Sequence, residues 1–293
     1  QSAGAVALEV SNNAIDFSRS GVNFNYVSVV SVLLLSPPIG PRLGGSIVSV
    51  VGTGMPPGSA CRFGGLAAVA ATLISAGELL CVSPAQPVGR YPLEVTGNSQ
   101  DFTFDGVVFR YVDRPVVTRA VPMLGPLEGG TLVQLQGSGF LQVAGLACRF
   151  GSRGLPVPAR WLSGTQLECR SRARGVAGNV TVEVSMNNQD FSASGVRFEY
   201  LGNAAVGVLR PAQGPVGGGT LVEVQGSAFW ERSASLGLLY CRFGPLGLSR
   251  AQRISNDAIE CVAPAHAAGE VAVEVSLNGV DFTSSGVTYA YLG

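Results

Sequence analysis

"VALEVSNNAIDFSRSGVNFNY" at residues 6–26 and "VAVEVSLNGVDFTSSGVTYAY" at residues 271–291 are near copies at opposite ends of the chain. In the second, Val271, Val273 and Val275 alternate with Ala272, Glu274 and Ser276, the period-2 pattern of a strand with one buried face. Val287, Tyr289 and Tyr291 alternate again beyond Asp281-Phe282. Each stretch therefore reads as a β-hairpin, two strands joined through an Asp-Phe connection. Val180, Val182 and Val184 with Val196, Phe198 and Tyr200 repeat the pattern inside the chain, as does Leu93 with Val95.

Working outward from the hairpin exposes a longer period. Asp-Phe recurs at Asp16, Asp101, Asp190 and Asp281, at intervals of 85, 89 and 91 residues. Gly-Pro recurs at Gly40, Gly125 and Gly214, opening "GPRLGGS", "GPLEGGT" and "GPVGGGT". Cys-Arg-Phe-Gly recurs at Cys61, Cys148 and Cys241, each followed by a second cysteine at Cys81, Cys169 and Cys261. The chain is thus expected to hold the closing hairpin of a truncated repeat (1–27) and three whole repeats (28–112, 113–201 and 202–293). "TLVQLQG" (131–137) and "TLVEVQG" (220–226) add a strand after each Gly-rich turn. Short strands between Gly, Pro and Asn clusters describe an all-β fold of tandem sandwiches. No segment sustains a helical period.

These landmarks, in the order Gly-Pro, Gly-Gly-Thr, Cys-Arg-Phe-Gly, second Cys, Asp-Phe, Ser-Gly-Val, resemble the IPT/TIG domain. That immunoglobulin-like module occurs in plexins, in related receptors, in many protist and algal surface proteins and in some transcription factors. The resemblance covers essentially the whole chain and implies a seven- to eight-stranded sandwich in each repeat.

Composition narrows the function. The chain is 46% hydrophobic and 13% charged, too apolar for a disordered segment. Its nineteen basic residues, all Arg, balance nineteen acids, so no net field favours nucleic acid or an anionic membrane. The absence of Lys, alongside abundant Ala, Gly, Val and Pro, reads as codon bias of a GC-rich genome. The longest apolar run, "VSVVSVLLL" (27–35), is too short to span a bilayer. With Gln1 first and no signal peptide, a mature or excised piece of a longer protein is expected.

Each whole repeat holds two cysteines and the chain has one histidine, with no Cys-x-x-Cys, which argues against zinc. The expectation is one structural disulfide per repeat: Cys61–Cys81, Cys148–Cys169 and Cys241–Cys261. Such bridges place the chain in an oxidising, extracellular setting and argue against the transcription-factor branch. The repeated Asp, with Glu9, Glu94, Glu183 and Glu274 seven residues upstream, offers too few oxygens for calcium. The Asp is instead expected to form an Asx-type turn, and Phe282 and its equivalents to plug the bottom of the sandwich. Calcium shared between adjacent repeats stays open as an alternative. "GPVGGGT" lacks the Gly-Lys-Ser/Thr ending of a phosphate loop and precedes a strand, so it reads as a tight turn.

His266, in one repeat only, reads as a loop residue. No catalytic constellation, cofactor or metal site is expected. Asn179 in "NVT" is the sole N-glycosylation sequon. Trp161 and Trp230, at non-equivalent positions, are candidates for packing against a partner, a core or a neighbouring repeat.

From Tyr26 to Gly40, Tyr111 to Gly125 and Tyr200 to Gly214 the chain always takes fourteen residues, which must include the next first strand. Little remains for a linker, so a stiff, rod-like array is expected. The functional expectation is a spacer, adhesin or building block of an extracellular filament or flagellar appendage. Its partners would be other protein chains, through self-assembly, or neighbouring repeats of the same long chain. The alternative is the stalk of a plexin-like receptor ectodomain, and a spacer or carbohydrate-binding accessory of a secreted enzyme is a third reading.

Overall fold

The computed structural model describes residues 4–293, and its regular elements are nearly all strands. Two compact units divide the chain, one ending at Asp113 and one running from Arg114 to Gly293. One short helix, Glu231–Ser235, interrupts the strands.

In the first unit, Ser31–Ser36, Ile47–Thr53, Glu78–Val82 and Thr72–Ser75 form a four-stranded antiparallel sheet. Facing it is a five-stranded sheet in the order Ile39–Pro41, Val108–Val112, Gly89–Thr96, Ala60–Phe63, Val69–Ala70. The opening segment is split between the sheets. Ser31–Ser36 lies in the first, and beyond a cis Ser36–Pro37 bond Ile39–Pro41 runs parallel to the last strand in the second. The second unit holds two further sandwiches, and the one at 206–291 repeats this plan. In the one at 115–200, Val157–Ser163 pairs with both Ala147–Phe150 and Gln166–Arg170 and joins the two layers into one continuous eight-stranded sheet. Leu124–Pro126 runs parallel to Arg197–Leu201, and Gln213–Pro215 to Thr288–Leu292.

Alternation in the sequence becomes burial here. In Ile47–Thr53, Val48 and Val50 are buried and their neighbours face outward. The Cys-Arg-Phe-Gly strand lies in one layer and the second cysteine in the layer facing it, so each pair bridges the sandwich. Cys61–Cys81, Cys148–Cys169 and Cys241–Cys261 are disulfide-bonded, each with a Cα–Cα distance of 6.3 Å, and all six sit in the core. Beside each lies an edge-to-face aromatic cluster. Phe63 and Phe109 have centroids 5.3 Å apart, Phe150 and Phe198 5.3 Å, and Phe243 and Tyr289 5.5 Å. Each such pair contributes roughly 0.5–1.5 kcal/mol beyond the area it buries.

Residues 4–26 form a separate two-stranded sheet in which Gly4 pairs with Tyr26 and Ala7 with Asn23.

Candidate functional site

The turn at the tip of each hairpin is built by an asparagine. Asn278 Oδ1 accepts the backbone N–H of Val280 at 3.0 Å and of Asp281 at 2.8 Å, while its Nδ2 donates to Asp281 Oδ2 at 2.7 Å. Asn13, Asn98 and Asn187 make the same set of bonds. The residue after each Asn takes a left-handed conformation, with φ of 61° at Ala14, 63° at Ser99, 61° at Asn188 and 79° at Gly279. The expectation that Asp forms the Asx turn is therefore corrected. Asp accepts the amide of the Asn three residues earlier, because the Asn carbonyl is placed to cap two successive N–H groups. The Asn-x-x-Asp spacing is present in all four copies of the sequence and is the signal that the Asp-Phe reading passed over.

The role expected of the following Phe is corrected as well. Phe102, Phe191 and Phe282 are half-buried outside the core, under the arginine of Cys-Arg-Phe-Gly. The guanidinium carbons of Arg62, Arg149 and Arg242 stand 3.6, 4.0 and 4.1 Å from the ring centroids. This cation–π contact, worth about 0.5–1 kcal/mol at such partly exposed sites, holds the turn against the sheet from outside. The upstream glutamates join the same fastening. Glu274 accepts the Thr283 hydroxyl at 2.6 Å and Glu183 that of Ser192 at 2.6 Å, whereas Glu94 accepts Arg62 Nε at 2.8 Å. Among the described residues no three His, Cys, Asp or Glu side chains converge as metal ligands.

Within Arg114–Gly293 the last turn has a second task, since it seats on the preceding sandwich. Asn278 Nδ2 also donates to the carbonyl of Leu124 at 3.0 Å, and Asp281 Oδ2 accepts the Thr131 hydroxyl at 2.6 Å. Leu124 and Thr131 flank the Gly125-Pro126 turn, where Gly129 and Gly130 adopt φ of 71° and 85°. A Cβ on Gly129 would run into the backbone of Arg172 and Ala173, so only glycine lets the turn lie that close. The connecting segment is tied down too. Asn203 accepts the N–H of Leu127 at 3.2 Å and donates to the Glu128 carboxylate, and Trp230 Nε1 donates to the Gly202 carbonyl at 3.0 Å. Arg232 reaches Glu199 at 3.3 Å, an exposed pair that adds little. Trp230 thus serves neighbour packing, while Trp161 donates to the Phe140 carbonyl within its own sandwich. A cleft of about 660 Å3 remains beside this joint, lined by residues such as Glu128, Asn203 and Asp281.

Asn179 is exposed on the strand Gly178–Ser185. His266 stacks on Tyr291 with centroids 5.0 Å apart. Burial holds the phenols of Tyr111, Tyr200 and Tyr291 above their usual range. No helix among the described residues is long and apolar enough to cross a membrane.

Comparison with known proteins fits this plan. A profile of the IPT/TIG domain matches residues 31–111, 115–200 and 206–291. Plexin-A4 of Danio rerio is 30% identical over 38% of this chain and 6% of its own length. Plexin-B2 of Mus musculus is 28% identical over 60% of this chain and 10% of its own. Fibrocystin-L of Homo sapiens is 28% identical over 71% of this chain and 5% of its own. The chain therefore spans a tenth or less of the relatives it matches. The solved extracellular region of plexin A4 aligns over 82% of this chain and 21% of its own, with TM-score 0.46 and 18% identity.

Proposed function

The chain belongs to the IPT/TIG domain family, and we propose that it is a non-enzymatic structural segment of a large secreted or cell-surface repeat protein. Residues 28–112, 113–201 and 202–293 act as its folding units, and 1–27 carries the same closing hairpin. The repeats serve as a spacer and packing unit of an extracellular filament or surface appendage. Their immediate partners are neighbouring repeats or other chains of the same kind.

The observation that carries this reading is the joint. A turn present in every repeat for local reasons, Asn-x-x-Asp, is also the part that grips the preceding sandwich through Leu124 and Thr131. With the connection pinned at Asn203 and Trp230, tension or bending applied to one sandwich passes to the next rather than being absorbed by a slack linker. The three disulfides and the plexin and fibrocystin-L relatives support an extracellular location.

The test is a distance distribution between fluorophores placed in 115–200 and 206–291 of the full chain. A single narrow distribution is expected, broadening in the Asn278→Ala/Asp281→Ala variant. A broad distribution in the unmodified protein overturns the structural role. A second reading, the stalk of a plexin-like receptor, is favoured by the plexin relatives. Native material that fractionates with membranes as unassembled chains, rather than as polymer, would select it.

A further inference from the structure

We infer that an open cleft on the sandwich at 115–200 binds an anionic glycan, a polysaccharide carrying sulfate or carboxylate groups. The cleft, about 710 Å3, lies between the Gly151–Gly154 turn, the Arg172–Arg174 loop and the strand at Asn179. Arg153, Arg172 and Arg174 line it, all three exposed, and no Asp or Glu does. None of the three has a carboxylate partner; the ion pairs among the described residues use Arg42, Arg62, Arg160, Arg232 and Arg253. Because the whole chain is neutral, this is a local concentration of positive charge and not a reflection of net charge.

The other two sandwiches fill the same place differently. Ser-Arg-Ala-Arg at 171–174 stands where they carry Ser-Pro-Ala-Gln at 83–86 and Ala-Pro-Ala-His at 263–266. Gln86 is buried at 7% exposure, and His266 lies flat against Tyr291. Arg174 instead holds its guanidinium 5.8 Å from the Tyr200 ring and open to solvent. The fold forms twice without these arginines, so folding does not require them.

A guanidinium stays charged at any physiological pH and offers a planar fork to two oxygens of a sulfate or carboxylate. Three of them along one cleft suit a polymer that bears charge at regular spacing. A peptide partner would call for apolar or aromatic anchors, and the cleft offers few. Phe150 and Tyr200 at its floor are 8% and 2% exposed, leaving Leu155 as the one large exposed apolar side chain on the rim. The inference does not depend on the joint between sandwiches.

Surface plasmon resonance of the full chain over immobilised heparin, alginate, poly-glutamate and duplex DNA tests it. Binding to heparin or alginate is expected, weakening as salt is raised and falling by about tenfold or more in the Arg153→Ala/Arg172→Ala/Arg174→Ala variant. Preference for heparin identifies sulfate as the group read, and preference for alginate identifies carboxylate. A control with the same charge change on exposed arginines elsewhere, Arg90→Ala/Arg119→Ala/Arg210→Ala, should bind as the unmodified chain does. Single Arg→Gln variants, each expected to lose about threefold, carry the test if the triple variant fails to fold. The inference is overturned by no binding to either glycan or by an unaffected triple variant. Equal loss in the control, or poly-glutamate or DNA bound as tightly as the glycans, overturns it too.

Discussion

The hairpins at 4–26 and 269–291 share sequence, register and turn chemistry but not surroundings. Gly4 pairs with Tyr26 as Gly269 pairs with Tyr291, and Asn13 caps its turn as Asn278 does. Yet Val10 is 71% exposed where Val275 is 1%, and Phe24 is 55% exposed where Tyr289 is 0%. The difference teaches that the hairpin's shape is local, held by one asparagine and by strand alternation. Its energy comes from the facing sheet, because an isolated two-stranded hairpin is marginal in water. The turn differs in the same way. Asp16 accepts its own Asn, whereas Asp281 also accepts Thr131 of the preceding sandwich.

The sharpest way to break the comparison is to truncate one aromatic in each copy. Tyr289→Ala should destabilise its sandwich by about 3–5 kcal/mol, as large core truncations do, while Phe24→Ala should stay within about 0.5 kcal/mol. Calorimetry of the two variants measures both, and equal costs would mean the two hairpins are covered alike.

Next in size is the bridge that joins the sheets behind the second hairpin. Cys241→Ala/Cys261→Ala should cost about 3 kcal/mol on the chain-entropy view for a loop of this length, read from the urea midpoint. Mass mapping under non-reducing conditions should find each cysteine paired within its own repeat.

A smaller contrast separates the two asparagines. Asn278→Ala leaves the N–H groups of Val280 and Asp281 and the Leu124 carbonyl without their partner in a buried setting, and should cost about 1–3 kcal/mol. Asn13→Ala exposes the same groups to water and should cost less than about 1 kcal/mol. Thr131→Val, which removes one bond to Asp281, should cost about 1 kcal/mol and broaden the distance distribution across the joint. If that distribution stays narrow, the Thr131–Asp281 bond is not what holds the two sandwiches in register.

The last effect shows only at alkaline pH. The folded-state phenols of Tyr111, Tyr200 and Tyr291 ionise above the ordinary value because burial disfavours the phenolate. The unfolded chain then loses these protons first, from about pH 10. The stabilisation is therefore complete below that pH and is lost as pH rises through the folded-state values. Absorbance at about 295 nm should show these phenolates appearing together with unfolding rather than before it.

Much of the fold was legible in the sequence because its landmarks are local. Alternating Val in 180–184 and 271–275 and paired glycines after Gly-Pro each act through neighbouring backbone, and repetition makes the pattern plain. The Asn-x-x-Asp spacing is equally local and was passed over only because Asp-Phe stood out beside it. The candidate site was less legible. Phe282 looked like core, yet Arg242, some forty residues earlier, draws its ring to the outer face. Trp230 gave no sign that its indole would pin Gly202. The cleft at Arg153, Arg172 and Arg174 gathers residues from separate loops whose charges, spread along a neutral chain, show no pattern in one dimension.

By itself, then, the sequence determined the strands, the turns, the repeat length and the hairpin register. These follow from short-range alternation, φ preferences and side-chain capping, and so come out the same in both hairpins. Only the tertiary structure decided that the Asn278–Asp281 turn seats on Leu124 and Thr131, that Phe282 lies under Arg242, and which arginines stand together unpaired. Each depends on what other segments bring within a few ångströms, and no stretch of sequence carries that on its own.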